Sequence, residues 1–316
     1  MELVPLGPGF GVEVRGLGLM DVASSDAAYR AARAAFEAHS VLLFRGQPIS
    51  DEAQLGYSRA FGPLEITKIG SSGTGTLFVR LSNLGRDGKF LTPDAREWLN
   101  TRANRLWHTD SSFKRTPALA SVLAAREVPE AGGETEFAST RLAWQRLAPA
   151  RQRRLRHAIV THSYENSRNQ IKPGMLPPEE RALLPPVRWH MTWRNPANGK
   201  RALYIASHAY AIQGMGDNEA KALLAELIEE ATRPGLTYLH RWRPGDVVMW
   251  DNRATMHRGR PWPADKVRSL ARTTISATEA DGLAEVRAEP SRGVEAVSSG
   301  FRIPAASAES RAARRQ

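Results

Sequence analysis

Residues 104–110 read Asn104-Arg105-Leu106-Trp107-His108-Thr109-Asp110, and this stretch does most to decide how the chain is interpreted. His108 and Asp110 lie two residues apart, so on a β-strand both side chains would leave the same face. With a second histidine from a distant segment they would form the two-histidine, one-carboxylate set of non-haem iron(II) oxygenases. A chain with eight histidines can carry one such triplet by chance. Taken alone, the triplet favours a solvated His-Asp pair at a strand end.

The composition limits the classes of protein to which the chain can belong. A length of 316 residues fits one large domain or two small ones, and 41% hydrophobic residues can fill a sizeable core. The chain has no cysteine, so any metal must be held by nitrogen and oxygen ligands. It has no apolar run of membrane-spanning length and no signal-peptide pattern, so we expect a cytoplasmic protein with no membrane partner. The net charge of +11 would suit nucleic acid, or small anions drawn toward a site.

The first 65 residues alternate between helix and strand patterns. Residues 24–26 offer N-caps for a helix whose apolar residues recur at helical spacing. Val41–Phe44 is a short apolar run closed by a Gly and Pro turn, which predicts a buried strand. Ser50 begins a second helix with acidic residues in its first turn, and Gly62-Pro63 ends it.

Short strand patterns dominate the rest of the chain. They lie at residues 119–125, 187–193, 202–206, 236–240, 247–250 and 270–276. Many short strands separated by Gly and Pro indicate a sandwich or barrel, so we predict a mainly β fold with flanking helices, a jelly roll. Ser139 or Thr140 is predicted to begin a helix that carries the basic run at residues 151–157. That run could bind phosphates, although a solvated helix face is the simpler interpretation.

The C-terminal segment has a different composition. Residues 278–316 are rich in Ala, Ser, Glu and Arg and contain few large apolar side chains. Such a segment cannot bury enough apolar surface to offset the cost of ordering it. We therefore predict one domain over residues 1–277, followed by a mobile tail.

A second candidate ligand follows the strand pattern at residues 247–250. His257 comes after the turn that ends this strand, Arg268 lies eleven residues further on, and Arg272 follows after four more. Thr135, two residues beyond a Gly-Gly pair, is a hydroxyl that could face a polar ligand. Each has an ordinary interpretation when taken singly, as a loop histidine, as arginines in an arginine-rich chain, or as part of a loop.

Together the segments resemble the taurine/2,4-dichlorophenoxyacetate dioxygenases, which depend on iron(II) and 2-oxoglutarate. The matching segments are SVLLFRGQP (40–48), FGPLE (61–65), LWHTDSSF (106–113), GGETEF (132–137) and VMWDNR (248–253). The resemblance covers about residues 1–277 and is closest to the 2,4-dichlorophenoxyacetate branch. It implies a double-stranded β-helix, which is a jelly-roll fold.

The resemblance implies a role for each matching residue. His108, Asp110 and His257 match the iron ligands, and no catalytic residue is expected beyond them. Thr135 and Arg268 match the residues that hold the distal carboxylate of 2-oxoglutarate. Four residues match positions near the primary substrate: Asn104, Arg272, Lys68 and His208. For His208, a buried structural histidine is the alternative interpretation.

The implied reaction uses dioxygen to convert 2-oxoglutarate to succinate and carbon dioxide while a C–H bond of the substrate is hydroxylated. Hydroxylation beside an ether oxygen gives a hemiacetal that collapses to a phenol and an oxoacid. We therefore expect a dioxygenase that acts on a small anion, an aryloxyalkanoate, and that could form a homo-oligomer. On a strand, Arg268 and Arg272 would share a face about 13 Å apart, so one could serve the cosubstrate and the other the substrate.

Three alternatives remain at this stage. The same chemistry could act on a sulfonate or on a natural carboxylate. A non-catalytic jelly-roll protein could bind a ligand, although such a protein would be expected to have lost at least one of the five matched residues of the iron and cosubstrate sites. An oxygenase of nucleic acid would need a basic and aromatic surface, whereas the arginines here are dispersed along the sequence, so no nucleic-acid partner is expected.

Overall fold

The chain folds into β-sheets flanked by helices, and the computed structural model describes residues 1–67 and 75–288. The strands are β1 Glu2–Pro5, β2 Val12–Arg15, β3 Val41–Phe44, β4 Val79–Ser82, β5 Ala118–Glu127, β6 Thr135–Ser139, β7 Ile159–His162, β8 Val187–His190, β9 Thr192–Arg194, β10 Arg201–Leu203, β11 Ala209–Ile212, β12 Thr237–His240, β13 Val247–Asp251, β14 Thr255–Gly259 and β15 Ser269–Ser276. The helices are α1 Leu19–Ser24, α2 Asp26–His39, α3 Asp51–Phe61, α4 Arg96–Ala103, α5 Thr140–Arg146, α6 Pro149–Leu155, α7 Tyr164–Asn169, α8 Pro178–Leu183, α9 Asp217–Ala231 and α10 Leu283–Val286.

The largest sheet is covered on both faces and forms the centre of the fold. Its strands lie in the order β1-β2-β3-β13-β5-β15-β4, and its neighbouring strands are antiparallel except for β2 and β3. Successive residues of β3 point to opposite faces. Phe44 joins a cluster with Phe36 and Tyr57 of α2 and α3, whereas Leu43 joins a cluster with Phe137 of β6. Helices therefore cover one face, and a second sheet covers the other.

Three smaller sheets complete the described architecture. The sheet β12-β6-β14 packs against the large sheet, as Phe137 of β6 and Trp250 of β13 show with ring centroids 5.5 Å apart. The sheets β11-β7-β8 and β10-β9 share a hydrophobic cluster with α5 and α9. Among the described residues, no helix has both the length and the apolar character needed to cross a bilayer.

The predicted combination of β-sheets with flanking helices is confirmed, as are several of the predicted elements, although more residues lie in helices than a mainly β fold implies. β3 has the predicted bounds, and α2 and α3 occupy the predicted positions. Both helices begin with a serine cap: Ser25 accepts a hydrogen bond from the backbone of Ala28, and Ser50 accepts one from that of Ala53 at 3.0 Å.

The single helix predicted from Ser139 through the basic run is wrong. Ser139 does cap a helix, because its hydroxyl accepts from the Leu142 N–H at 3.2 Å. That helix, α5, ends at Arg146, and Pro149 begins a separate helix, α6, which carries the basic residues. The residue before a proline is disfavoured in helical conformation. Ala148 accordingly adopts an extended conformation, with ψ of 144°.

Residues beyond the predicted domain boundary at 277 pack against the domain. Residues 279–281 form a 3₁₀ turn and α10 follows, with Leu283 and Val286 buried in the main cluster. The indole N–H of Trp193 donates to the carbonyl of Asp281 at 2.9 Å, and Arg33 pairs with the Asp281 carboxylate. Two apolar residues were enough to anchor a segment that looks polar by composition. The rest of the predicted tail, residues 289–316, lies outside the described residues.

Candidate metal centre and substrate cavity

A backbone bridge brings the two candidate histidine ligands together. The His108 N–H donates to the His257 carbonyl at 2.9 Å, and the His257 N–H donates back to the His108 carbonyl at 2.8 Å. This doubly bonded antiparallel pair places both side chains on one side, with ring centroids 4.1 Å apart. β14 therefore positions His257, and the bridge positions His108 beside it.

Asp110 does not lie on the strand predicted for residues 108–110. After His108 the chain leaves the bridge and enters a turn, in which Ser111 has a left-handed φ of 55°. The side chain of Asn252 holds this turn, because its amide oxygen accepts from the Asp110 N–H at 3.1 Å. Thr109 donates to the Asn252 carbonyl at 2.7 Å. The convergence of His108 and Asp110 thus comes from an anchored turn instead of strand alternation.

These three side chains form a compact, buried group. One ligand atom from each of His108, Asp110 and His257 lies within 4.8 Å of the others, and within the described ranges this is the cluster that could hold a metal. Ser121 donates to Oδ2 of Asp110 at 2.6 Å, and Asn252 donates to Ser121 at 3.1 Å. The carboxylate is therefore held in one orientation by its neighbours.

The environment sets the protonation states that metal binding requires. Burial lowers the pKa of His108, and it lowers that of His257 well below the ordinary range, so both imidazoles are neutral at pH 7. Burial raises the pKa of Asp110. The nearby charge of Arg272 is the largest influence in the other direction, and the net pKa lies below the usual value. Two neutral imidazoles and one carboxylate are ready to bind without losing protons.

The donor set fits iron(II). Nδ1 of His108 lies 2.8 Å from the Leu106 carbonyl, which fixes its proton there and leaves Nε2 with a lone pair. Nε2 of His257 lies 3.7 Å from Oδ2 of Asp110, so both atoms point toward a common centre. Two imidazole nitrogens and one carboxylate oxygen on one side leave further coordination positions open.

A small cavity of about 50 Å³ adjoins this group and is lined by Thr135, Arg268, His257 and Arg272, among others. Arg268 is buried, its Nε donates to the Gly133 carbonyl at 2.9 Å, and its guanidinium lies 5.0 Å from the Trp262 ring. Burial lowers the pKa of Arg268 to about 10, which keeps it cationic at neutral pH. The cavity therefore offers a sheltered positive charge close to the metal cluster.

The Gly-Gly pair has a structural role at this cavity. Gly133 has φ of +70°, and a Cβ there would lie 2.8 Å from Cδ of Arg268. Only glycine lets the backbone approach the arginine this closely. Thr135 accepts a hydrogen bond from the Trp242 indole N–H at 3.0 Å, so its own hydroxyl proton is free to donate elsewhere.

Arg272 lies where the small cavity meets a larger one, but its environment differs from the expected one. Its Nη1 is in direct contact with Oδ1 of Asp110. Arg268 immediately precedes β15, and Arg272 lies within it. Both guanidinium groups line the small cavity. A role for Arg272 toward the primary substrate stays a prediction.

The larger cavity, of about 310 Å³, contains the remaining candidate substrate residues that the structure describes. Asn104 and His208 line it together with His108 and Asp110. His208 is buried, and its ring lies 4.7 Å from that of Phe113. Thr67, Val79 and Tyr164 also contribute to its wall. Lys68 lies outside the described residues.

Several site residues were not singled out by sequence reasoning. Asn252 had a signal, because it lies in the matched segment 248–253, yet its role depends on contacts across the fold. Ser121 is one polar residue in an apolar strand, which is a recognisable anomaly. No local sequence pattern marks Trp242 or Arg168. Trp242 follows β12 and contacts Thr135 only in the folded chain, and Arg168 lies in a short helix.

Comparison with known proteins agrees with this geometry. Residues 2–274 match the family described as taurine catabolism dioxygenase TauD, TfdA family. The chain is 38% identical over 275 residues to an alpha-ketoglutarate-dependent 2,4-dichlorophenoxyacetate dioxygenase of Cupriavidus pinatubonensis, covering 85% of this chain and 96% of the relative. It is 30% identical to an (S)-phenoxypropionate/alpha-ketoglutarate-dioxygenase of Sphingobium herbicidovorans, covering 87% and 94%.

A solved structure gives the same result in three dimensions. The crystal structure of AAD-2 in complex with Mn(II) and N-oxalylglycine is similar, with a TM-score of 0.82 and 35% identity. The match covers 89% of this chain and all of that one. The chain belongs to the TauD/TfdA family and is a dioxygenase that uses Fe(II), 2-oxoglutarate and dioxygen.

Proposed function

We propose that His108, Asp110 and His257 hold the iron(II), and that Thr135 and Arg268 hold the distal carboxylate of 2-oxoglutarate. The support is the convergence of three buried ligands beside a sheltered cation. Arginine suits a carboxylate because its planar guanidinium makes paired, charge-assisted contacts. The free hydroxyl proton of Thr135 adds a donor to the same carboxylate.

We also infer that the two facing sheets form a double-stranded β-helix, the jelly roll that the sequence predicts. The large sheet and the sheet β12-β6-β14 enclose a common cluster around Phe137 and Trp250. The metal cluster lies where β14 meets the segment before β5, at one end of this enclosure. We propose that this domain extends to residue 288.

The proposed substrate is an aryloxyalkanoate. Relatives that span nearly all of this chain's domain are named for 2,4-dichlorophenoxyacetate and phenoxypropionate. The single observation in the fold that carries the proposal is the larger cavity, which joins the metal cluster to apolar walls. Those walls include Val79, Leu81 and Leu184, which suit an aromatic ring, while cations at the metal end suit a carboxylate.

When bound, iron and 2-oxoglutarate would react with dioxygen to supply an oxidant that hydroxylates the carbon beside the ether oxygen, with release of succinate and carbon dioxide. The hemiacetal product then collapses to a phenol and an oxoacid. The chain itself binds the two carboxylates, orients the substrate carbon toward the metal ligands, and limits the access of water with the apolar residues that line the larger cavity. Positioning and water exclusion are thus the protein's contribution.

Product analysis with a panel of anions tests this proposal. The enzyme is supplied with iron(II), 2-oxoglutarate and air, and succinate and phenol are measured for aryloxyacetates, aryl sulfonates and alkyl carboxylates. We expect equimolar succinate and phenol with an aryloxyacetate. Succinate coupled to a sulfonate but not to any aryloxyalkanoate would refute the proposed substrate class while leaving the reaction class intact.

A further inference from the structure

The larger cavity contains a cation to which the reaction scheme has so far given no role. Arg168 lies in the last turn of α7 and lines the cavity together with His108 and Asp110. Its guanidinium carbon lies 4.1 Å from the centre of the Tyr164 ring, and its Nη1 donates to the hydroxyl of Ser167 at 3.1 Å. These contacts fix the guanidinium in the cavity wall.

The other cations that line this cavity already have carboxylate partners. Lys114 is in contact with Glu65, and Arg272 is in contact with Asp110. The acidic Glu180 of the wall pairs with Arg96 at 2.6 Å. Across residues 1–67 and 75–288, by contrast, no carboxylate forms an ion pair with Arg168.

The hydrogen-bonding capacity of Arg168 is also incompletely used. Its Nε is buried and has no hydrogen-bond partner within the described part of the chain. A buried donor without a partner is costly unless something else accepts its proton. A guanidinium with a free Nε and an uncompensated charge is a suitable partner for a carboxylate, which can accept two parallel bonds.

The position of Arg168 suits the reaction. In an aryloxyacetate, the carbon to be hydroxylated carries the carboxylate directly, so the cation that holds this group must lie beside the metal ligands. Arg168 meets this requirement, because it lines the same cavity as His108, Asp110 and His208.

We propose that Arg168 is the residue that binds the carboxylate of the primary substrate and so determines specificity for anionic substrates. This inference rests on the proposed function. Arg272 then has a different task, because its guanidinium compensates the charge of Asp110. The aromatic ring of the substrate extends from the carboxylate along the apolar wall that includes Val79 and Leu184.

Equilibrium binding tests the proposal without relying on turnover. Anaerobic calorimetry is performed on enzyme loaded with iron(II) and 2-oxoglutarate, and 2,4-dichlorophenoxyacetate and its neutral primary amide are titrated in turn. Arg168→Gln removes the charge, and Arg168→Lys keeps it. The matched control is Arg153→Gln, which makes the same change at an exposed residue of α6 that lies away from the cavity.

We expect Arg168→Gln to weaken binding of the acid about 10²-fold and to leave the amide nearly unchanged. Arg168→Lys should retain part of the preference for the acid, and Arg153→Gln should behave as wild type. Affinity for 2-oxoglutarate should be the same in all four proteins. Unchanged affinity for the acid in Arg168→Gln would overturn the proposal. An equal loss of affinity for the acid and the amide in both Arg168 variants would also overturn it, because that result indicates a packing role.

The same titrations, extended to an alkyl sulfate and a sulfonate, separate this proposal from the proposed function. If wild type binds an alkyl sulfate or a sulfonate instead of the aryloxyacetate, the substrate class is wrong. Arg168→Gln should still weaken that anion about 10²-fold. If wild type binds none of these anions, the primary substrate is not anionic and the role of Arg168 is refuted together with the substrate class.

Discussion

Replacing Arg268 with leucine should weaken the binding of 2-oxoglutarate far more than the binding of the primary substrate. Arg268 is 6% exposed, and burial leaves its pKa at about 10, so at neutral pH the substitution deletes a full, sheltered charge. Truncating one member of a buried, hydrogen-bonded charge pair costs about 2–5 kcal/mol. This loss corresponds to a rise in the dissociation constant of roughly 30-fold to several thousand-fold.

Anaerobic calorimetry with iron(II)-loaded enzyme measures both affinities separately. Arg268→Lys is the matched variant, because it keeps the charge but loses the planar pair of donors, and it should fall between wild type and Arg268→Leu. Circular dichroism checks the fold, since the leucine variant leaves the Gly133 carbonyl without its 2.9 Å donor. An equal loss of affinity for 2-oxoglutarate and for the primary substrate would refute the assignment of Arg268 to the cosubstrate.

Two further substitutions probe residues that support the site, and a third probes a buried histidine at the end of β7. Trp242→Phe removes the indole donor to Thr135, so the threonine hydroxyl can turn away from the cavity. Calorimetry should then show a dissociation constant for 2-oxoglutarate that is about 5- to 10-fold higher. An unchanged dissociation constant would mean that Trp242 does not orient Thr135. Ser121→Ala removes the 2.6 Å donor to Asp110 and should weaken iron binding about 10-fold or more in a metal competition assay, whereas unchanged affinity would argue against this positioning role. Burial lowers the pKa of His162 to about 3 in the folded protein. As the pH falls below about 6.5, this histidine is therefore protonated in the unfolded chain but stays neutral in the folded one. Stability is therefore lost on acidification, on the order of 2 kcal/mol by pH 5, and His162→Gln should flatten the pH dependence in urea titrations; an equally steep loss in the variant would contradict this origin.

Local sequence patterns were sufficient to predict helices that begin with a capping residue and a strand that is apolar at every position. Val41–Phe44 could be placed because its four apolar residues are buried on both faces of one sheet, and serine caps marked the starts of α2 and α3. α10 could not be placed, because its two buried residues depend on contacts with Trp193 and the central cluster. The break before Pro149 has a local signal, because a proline disfavours helical conformation in the residue before it.

At the site, residue types could be predicted but their physical arrangement could not. The resemblance named the three metal ligands, yet the strand expected to align His108 and Asp110 is an anchored turn held by Asn252. The contact between Arg272 and Asp110 joins residues 162 positions apart, which no spacing rule reveals. Arg168 could not be identified from the sequence for the same reason, because only the folded structure shows that it lines the cavity without a carboxylate partner among the described residues.

The most direct test of the central claim is anaerobic absorption spectroscopy of the purified enzyme. Addition of iron(II) and 2-oxoglutarate to wild type should produce a weak visible charge-transfer band, which is absent in His108→Ala, Asp110→Ala and His257→Ala. Those variants should keep the wild-type circular dichroism spectrum, because the ligands lie at one end of the core. Absence of the band in folded wild-type protein, or an unchanged band and full activity in His257→Ala, would contradict the account.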